Sequence, residues 1–177
     1  MNRTLVTLIK WFGRRSFVAL LAMTMMASFA ASGGDRAVAA VNDPSCQTSF
    51  LVFTDPENFG DVTTKGDIVK AKNSGILGQY TSGRFTGFTI SGLQELTLNQ
   101  ATGKASIKGS FVASSPDGES SITLRYQGKA DLIAAVATGR FRATDGTGEL
   151  DGFRATGQIE ADYLGNFAFT GVDIGLC

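Results

Sequence analysis

The sequence predicts an all-β protein: an eight-stranded antiparallel β-barrel with up-and-down topology, preceded by an N-terminal signal helix. Glycine recurs through residues 137–157 at a density that excludes a helix, since each glycine costs a helix about 1 kcal/mol relative to alanine. Several short segments alternate apolar and polar residues with a period of two, which is typical of strands with one solvent-exposed face. Turn residues separate these segments at intervals of roughly 10 to 15 residues, as in barrels and sandwiches.

Residues 1–40 are predicted to be a signal peptide and residues 41–177 a single β-barrel domain. A basic head precedes an uncharged apolar run at residues 17–31, and Ala37-Val38-Ala39 gives an A-x-A cleavage pattern. This run is shorter than the roughly 20 residues that span a bilayer, and an uncleaved membrane anchor is the alternative. Arg14-Arg15 before Phe17 resembles a twin-arginine signal, so Sec and twin-arginine export both remain open.

Removal of residues 1–40 changes the charge of the chain. The full sequence is neutral, whereas residues 41–177 hold 11 basic and 15 acidic residues, a formal charge of −4. A net negative charge disfavours nucleic acid and anionic membranes as partners. The net charge therefore argues against a nucleic-acid partner. Because a signal peptide is predicted, we expect a periplasmic or extracellular protein without a membrane span after cleavage.

Two cysteines, Cys46 and Cys177, remain after cleavage. In an oxidising compartment such a pair predicts a disulfide bond, with two unpaired thiols as the alternative. The bond would join the two ends of the mature chain. That favours an up-and-down barrel, in which the first and last strands pair, over a sandwich.

The strands are predicted from alternation and from the turn residues between them. They are placed at residues 47–54, 66–72, 76–80, 84–91, 93–98, 104–113, 120–127, 157–163 and 167–173. Turns are expected at residues 73–75, 81–83, 99–103 and 115–118. Residues 131–138 are ambiguous between two helical turns and a strand, and residues 137–157 are expected to supply two or more short strands.

The residue types restrict the chemistry that is available. The chain has no histidine, which excludes histidine-based catalytic triads and imidazole metal sites. We identify no catalytic residue and expect no cofactor and no metal. The glycines between Gly146 and Gly152 do not match a dinucleotide fingerprint. Glu160 and Asp162 share the face opposite Ile159, which we expect to be solvated. Aromatic residues that could line a cavity, with plain core as the alternative, are Tyr80, Phe85, Phe111, Tyr126 and Phe141.

Residues 136–146 resemble the G-G-T-G-x-F-x-G-A-x-G motif of the allene oxide cyclase-like barrels and the related dirigent proteins. The matching residues are Thr138, Gly139, Phe141 and Gly146. The two leading glycines are absent, and Ala143 and Thr144 replace a glycine and an alanine of the motif. Bacterial secreted proteins with similar glycine- and threonine-rich barrels are the most similar group. The resemblance implies a calycin-like barrel and permits a homotrimer, but no motif carries the cyclases' catalytic residues onto this chain.

Three functions are compatible with these observations. The first is a secreted, non-enzymatic barrel that binds a small apolar molecule or has a structural role. The second is an isomerase or cyclase of the allene oxide cyclase type, in which the cavity positions a reactive substrate. The third is a surface adhesion or matrix module. We expect no enzymatic activity; if the protein is an enzyme, we expect the second function.

Overall fold

The structure is a computed structural model that describes residues 46–165 and 167–177. The predicted signal peptide, its cleavage site and its helix lie outside the described residues. The strands are β1 Gln47–Thr54, β2 Asp61–Lys65, β3 Ile68–Ser82, β4 Thr89–Asn99, β5 Lys104–Ser114, β6 Ser121–Asp131, β7 Val136–Thr147, β8 Ala155–Gly165 and β9 Ala168–Ile174. Almost no helix is present among the described residues; a 3₁₀ turn at Gly148–Leu150 lies between β7 and β8.

The strands form a closed barrel of eight antiparallel strands, as predicted. From β3 to β9 each strand pairs with its neighbour in sequence, and β1 closes the ring by pairing with both β9 and β3. Because each strand of the ring has two partners, the barrel leaves no long unpaired edge. One strand, β2, lies outside the ring. It pairs with the first half of β3, and its five residues are all exposed. β2 was not among the predicted strands.

The predicted turn at residues 73–75 is wrong. Here β3 continues through a β-bulge, in which Asn73 adopts a left-handed conformation with φ of 54° and the register with β4 shifts between Ala71 and Ser74. Asparagine tolerates this conformation better than most residues. Turns and bulges favour the same residue types, so composition did not separate them.

Two other local predictions need correction. Residues 84–88 form a turn rather than the start of a strand, with the Phe88 N–H donating to the Phe85 carbonyl, so that β4 begins at Thr89. In the ambiguous segment 131–138, a turn precedes β7. The Asp131 carboxylate accepts hydrogen bonds from the N–H groups of Ile133 and Ala134, which gives these two backbone donors of the turn a partner.

Two apolar clusters fill the barrel, one toward each end. We call the end that carries Cys46 and Cys177 the disulfide end and the opposite one the far end. The disulfide-end cluster consists of Phe50, Ile76, Tyr80, Phe85, Ile90, Phe111, Ala113, Ile122, Leu124, Phe141, Ala143, Leu150 and Leu176. The far-end cluster has four buried members, Leu96, Leu98, Ala105 and Ala130.

A belt of glycines lies between these clusters. Seven of the eight ring strands carry one inward-facing glycine: Gly78, Gly92, Gly109, Gly128, Gly139, Gly157 and Gly171. A Cβ at any of them would come within 2.6 Å of a backbone oxygen on a neighbouring strand. The belt therefore lets the strands coil tightly, and it leaves the middle of the lumen without large side chains.

The disulfide between Cys46 and Cys177 is confirmed, with a Cα–Cα distance of 4.5 Å. The end of the chain is also held by hydrogen bonds, since the N–H groups of Gly175 and Leu176 both donate to the Cys46 carbonyl. First and last strands pair directly beside the bond. The disulfide bond thus joins the start of β1 to the end of the chain after β9, two segments that the β1–β9 ladder already holds side by side.

Candidate functional site

The lumen contains a cavity of about 90 Å³ between the two apolar clusters. Its walls are mostly apolar and come from several strands: Phe50, Val52, Ile76, Ile107, Phe111, Ile159, Ala161 and Phe169. Gly128 and Gly139, which pair directly across β6 and β7, form part of the same wall. The cavity therefore exists because the glycine belt places no side chains where two strands would otherwise fill the lumen.

Asp173 is the acidic group in this wall. It alternates with Phe169 and Gly171 on the inward face of β9 and is only 1% exposed. Its Oδ2 accepts a hydrogen bond of 2.5 Å from the Tyr80 hydroxyl. Its Oδ1 has no hydrogen-bond partner among the described residues. A buried carboxylate oxygen without a donor is costly, so this atom marks a place for a ligand, a water or a proton.

Thr48 lies beside Asp173. The two residues are direct partners in the β1–β9 ladder, so their side chains project from neighbouring positions on the inward face. Thr48 is also 1% exposed, and its Oγ1 has no partner among the described residues. Two neighbouring residues thus each carry a buried polar atom without a partner among the described residues, and of the two only Asp173 lines the cavity.

Burial dominates the ionisation of this pair. It raises the pKa of Asp173 to about 7, while the hydrogen bond from Tyr80 acts in the opposite direction. The pKa of Tyr80 is raised well above 10.0, first by burial and then by the adjacent Asp173 charge. Burial thus favours the protonated form of Asp173, whereas Tyr80 stays a hydrogen-bond donor.

A second polar pair lies in the cavity wall. The Tyr126 hydroxyl donates to Gln94 Oε1 at 3.2 Å, and Gln94 Nε2 donates to Thr54 Oγ1 at 3.5 Å. Burial raises the pKa of Tyr126 above its usual range, so it too remains protonated at neutral pH. Tyr126 and Gln94 thus both have hydrogen-bond partners in the protein. Asp173, by contrast, keeps a carboxylate oxygen without a hydrogen-bond partner among the described residues.

Of the five aromatic residues predicted as cavity liners, two line the cavity and three do not. Phe111 and Tyr126 line the cavity, and their rings pack at 5.9 Å. Tyr80 lies behind the wall and reaches the site through Asp173. Phe85 and Phe141 pack in the disulfide-end cluster.

The motif residues 138–146 lie on β7. Gly139 belongs to the glycine belt and lines the cavity; Thr138 lines it as well, although Thr138 is an exposed residue. A Cβ at Gly146 would meet the Leu150 carbonyl oxygen at 1.9 Å, so Gly146 lets the 3₁₀ turn fold back on β7. As expected, the segment 146–152 is a strand-to-strand connection.

The acids examined in the sequence occupy the outer surface. Asp162 is exposed and Glu160 is half-buried, while Ile159 and Ala161 between them face the cavity. Asp173, the acid that does reach the lumen, was missed. A usable signal exists, because the alternation Phe169, Gly171, Asp173 places this acid on the inward face of the last strand.

Among the described residues, no group of three or more His, Cys, Asp and Glu side chains could hold a metal ion. No helix within residues 46–165 or 167–177 is long and apolar enough to cross a membrane. No family model, curated protein or solved structure matches the chain.

Proposed function

We propose that this protein is an exported β-barrel that holds a small, largely apolar molecule in its lumen, with a hydrogen-bond donor of that molecule on Asp173. The observation that carries the proposal is a buried carboxylate oxygen without a protein donor, Asp173 Oδ1, on a residue in the wall of a largely apolar cavity. A bound hydroxyl or amine would supply the missing hydrogen bond. The apolar walls would bind the rest of the molecule.

The cavity volume limits the size of the ligand. At about 90 Å³ it is smaller than the roughly 150 Å³ cavity that accommodates benzene in another protein. The ligand is therefore a molecule of a few heavy atoms, unless Phe50 or Phe111 changes rotamer when it binds. Drug-sized ligands, which need roughly 300 Å³ or more, do not fit the lumen as it stands.

Two independent features support export. The basic head, apolar run and A-x-A pattern of residues 1–40 resemble a signal peptide, and the Cys46–Cys177 disulfide is typical of oxidising compartments. We place the protein in the periplasm or outside the cell. We also propose membership of the allene oxide cyclase-like and dirigent-like barrels, supported by the motif at residues 138–146 and by the eight-stranded ring.

The ligand proposal is tested with two isomers of equal size, 1-butanol and diethyl ether, of which only the alcohol can donate a hydrogen bond. Each is titrated into the purified protein while methyl NMR signals of Val52 and Ile76 are followed. We expect the alcohol to shift these signals at lower concentration than the ether. Equal responses, or none, would refute the role of Asp173.

The matched variant is Asp173→Asn. Its amide oxygen can still accept from Tyr80, while its N–H₂ group replaces the free acceptor with a donor. We expect the preference for the alcohol over the ether to disappear in this variant. Leu93→Ala, an exposed change on the outer face of β4, is the control and should leave the preference intact.

An isomerase is the second candidate, favoured by the pKa of about 7 at Asp173. A group whose pKa lies near the working pH can both take and return a proton. The carboxylate would remove a proton from a carbon next to a carbonyl and return it elsewhere on the same molecule, leaving Asp173 unchanged. Conversion of cyclopent-3-enone to cyclopent-2-enone, followed by ultraviolet absorbance, tests this. Saturable turnover that Asp173→Asn abolishes would establish it, and its absence would leave the binding role.

A further inference from the structure

The basic residues of the barrel are concentrated on one side. Six of the 11 Lys and Arg residues after residue 40 lie on β5, β6 and β7: Lys104, Lys108, Arg125, Lys129, Arg140 and Arg142. These three strands carry two acids, Asp131 and Asp145, and Asp131 pairs with Lys104. Since residues 41–177 are net acidic, this side opposes the charge of the rest of the molecule.

Five of these cations form what we call the basic face: Lys108, Arg125, Lys129, Arg140 and Arg142, all exposed on the outer surface of the sheet. Arg125 lies directly opposite Arg142 in the β6–β7 ladder. Like charges that face each other across two strands destabilise a sheet. An anion that bridges the two guanidinium groups would remove this repulsion.

Protein carboxylates neutralise one of the five cations of the basic face. Lys108 pairs with Glu95 at 3.0 Å. Among the described residues, Arg125, Lys129, Arg140 and Arg142 have no ion-pair partner. Surfaces built for solubility intersperse both signs of charge, so four neighbouring unpaired cations indicate an anionic partner.

A groove of about 480 Å³ crosses this face. Its charged residues are three cations, Lys108, Lys129 and Arg140, and one acid, Glu95, which pairs with Lys108. Hydroxyl and amide groups lie among them: Thr97, Ser106 and Gln127. The volume falls within the range of ligand sites. The mixture of cations with hydroxyl and amide groups suits a ligand that carries both negative charges and hydroxyls.

We propose that the basic face binds an acidic polysaccharide, a polymer of sugars that bear sulfate or carboxylate groups. Positions two apart on a strand are about 6.6 Å apart and adjacent strands about 4.8 Å, so the cations repeat in both directions, as the charges of an extended polymer do. The outward-facing residues of β5, β6 and β7 include no aromatic side chain. This disfavours single-stranded nucleic acid, which binds through base stacking. The inference does not depend on the lumen.

The probe is dextran sulfate, with unsulfated dextran of the same length as its neutral counterpart. Binding to the purified protein is measured by isothermal titration calorimetry at several salt concentrations. We expect dextran sulfate to bind, with affinity that falls as salt rises, and dextran not to bind. Absence of dextran sulfate binding at low salt would overturn the proposal.

Two double variants with the same change of net charge locate the site. Arg125→Gln with Arg142→Gln should weaken binding about tenfold or more, because both charges lie on the basic face. Lys65→Gln with Arg84→Gln, positions on β2 and at the disulfide end that do not line the groove, should change it less than about twofold. Equal weakening by the two pairs would refute a localised site. Thermal unfolding of both variants verifies that they fold.

Two further polymers test the chemical class. Polyglutamate carries carboxylates without sugar hydroxyls, and single-stranded DNA carries phosphates with bases. We expect both to bind more weakly than dextran sulfate at matched charge. If polyglutamate or DNA binds as tightly, the assignment to a polysaccharide is wrong.

Discussion

The two ends of the barrel differ in how they are filled. The disulfide-end cluster has 13 buried members, several below 2% exposure, whereas the four buried members of the far-end cluster are 4–9% exposed. Side chains from outside the strands close the disulfide end, namely Phe85, Leu150 and Leu176. Arg84 covers that end by stacking on Phe153 at 4.6 Å and donating to the Cys177 carbonyl at 3.4 Å.

The unequal packing of the two ends explains how a stable barrel can contain a cavity. Large aromatic and aliphatic residues, together with the disulfide, hold one end. The cavity lies next to the glycines of the belt, between the two clusters, and only four buried side chains among the described residues form the far-end cluster. We therefore expect local opening to occur preferentially at the far end, because fewer buried apolar contacts hold it. Mutations at the two ends test the asymmetry.

The largest expected effect is the loss of the disulfide. Cys46→Ser with Cys177→Ser opens a loop with a sequence separation of 131 residues, which the chain-entropy model values at about 5 kcal/mol of unfolding free energy. Urea unfolding of the double variant, compared with the oxidised parent, measures it. A loss well below 1 kcal/mol would mean that the β1–β9 ladder alone holds the disulfide end.

Side-chain truncation at each end compares the two clusters directly. Phe85→Ala should cost about 4 kcal/mol, since Phe85 is 1% exposed within an aromatic group that includes Tyr80 and Phe88. Leu98→Ala at the far end should cost about 2 kcal/mol, the low end for leucine, because its surroundings are looser. Equal losses in urea unfolding would contradict the asymmetry.

The pH dependence of stability reports on Asp173. Folding raises its pKa from 3.8 to about 7, so the folded state binds the proton more tightly than the unfolded chain. This contribution is fully present below pH 3.8 and is lost as pH rises through 7. Between pH 5 and pH 8 we expect stability to fall by roughly 2 to 3 kcal/mol.

The absence of histidine makes this pH window unusually clean, because few other groups titrate in it. Asp173→Asn should flatten the profile measured by urea unfolding at several pH values. Asp162→Asn, an exposed acid on β8, is the control and should keep the slope. A variant at Asp173 with an unchanged slope would assign the effect to another group.

The smallest expected effects concern turn conformation. Ala135, in the β6–β7 turn at the far end, has φ of 55°, which glycine adopts more readily. Ala135→Gly should stabilise the protein by up to about 1 kcal/mol. Gly118→Ala, at a φ of 77° in a disulfide-end turn, should destabilise it by about 1 kcal/mol. Thermal unfolding measures both, and the same sign for the two would refute the backbone explanation.

Local features were predictable where a residue type has a single common structural role, such as glycine in a tight turn. Gly103 and Gly118 were expected to form turns, and both have left-handed φ values in the turns that follow β4 and β5. The alternation of residues 104–113 predicted β5 to within one residue. The Asn73 bulge and the turn that contains Phe85 were predicted wrongly, because their conformations depend on pairing with other strands.

The amino-acid sequence was enough to predict the strand periodicity, the barrel class and the pairing of the two cysteines, because alternation, turn residues and cysteine count are local or compositional properties. It did not give the strand boundaries, since residues 66–72 and 76–80 belong to one strand, β3. Only the tertiary structure decided which face became the lumen and where the glycines align. It placed Asp173 beside Tyr80, 93 residues away in the chain, and collected the cations of β5, β6 and β7 on one surface. These properties arise from strand register and barrel closure, which join residues that are distant in sequence.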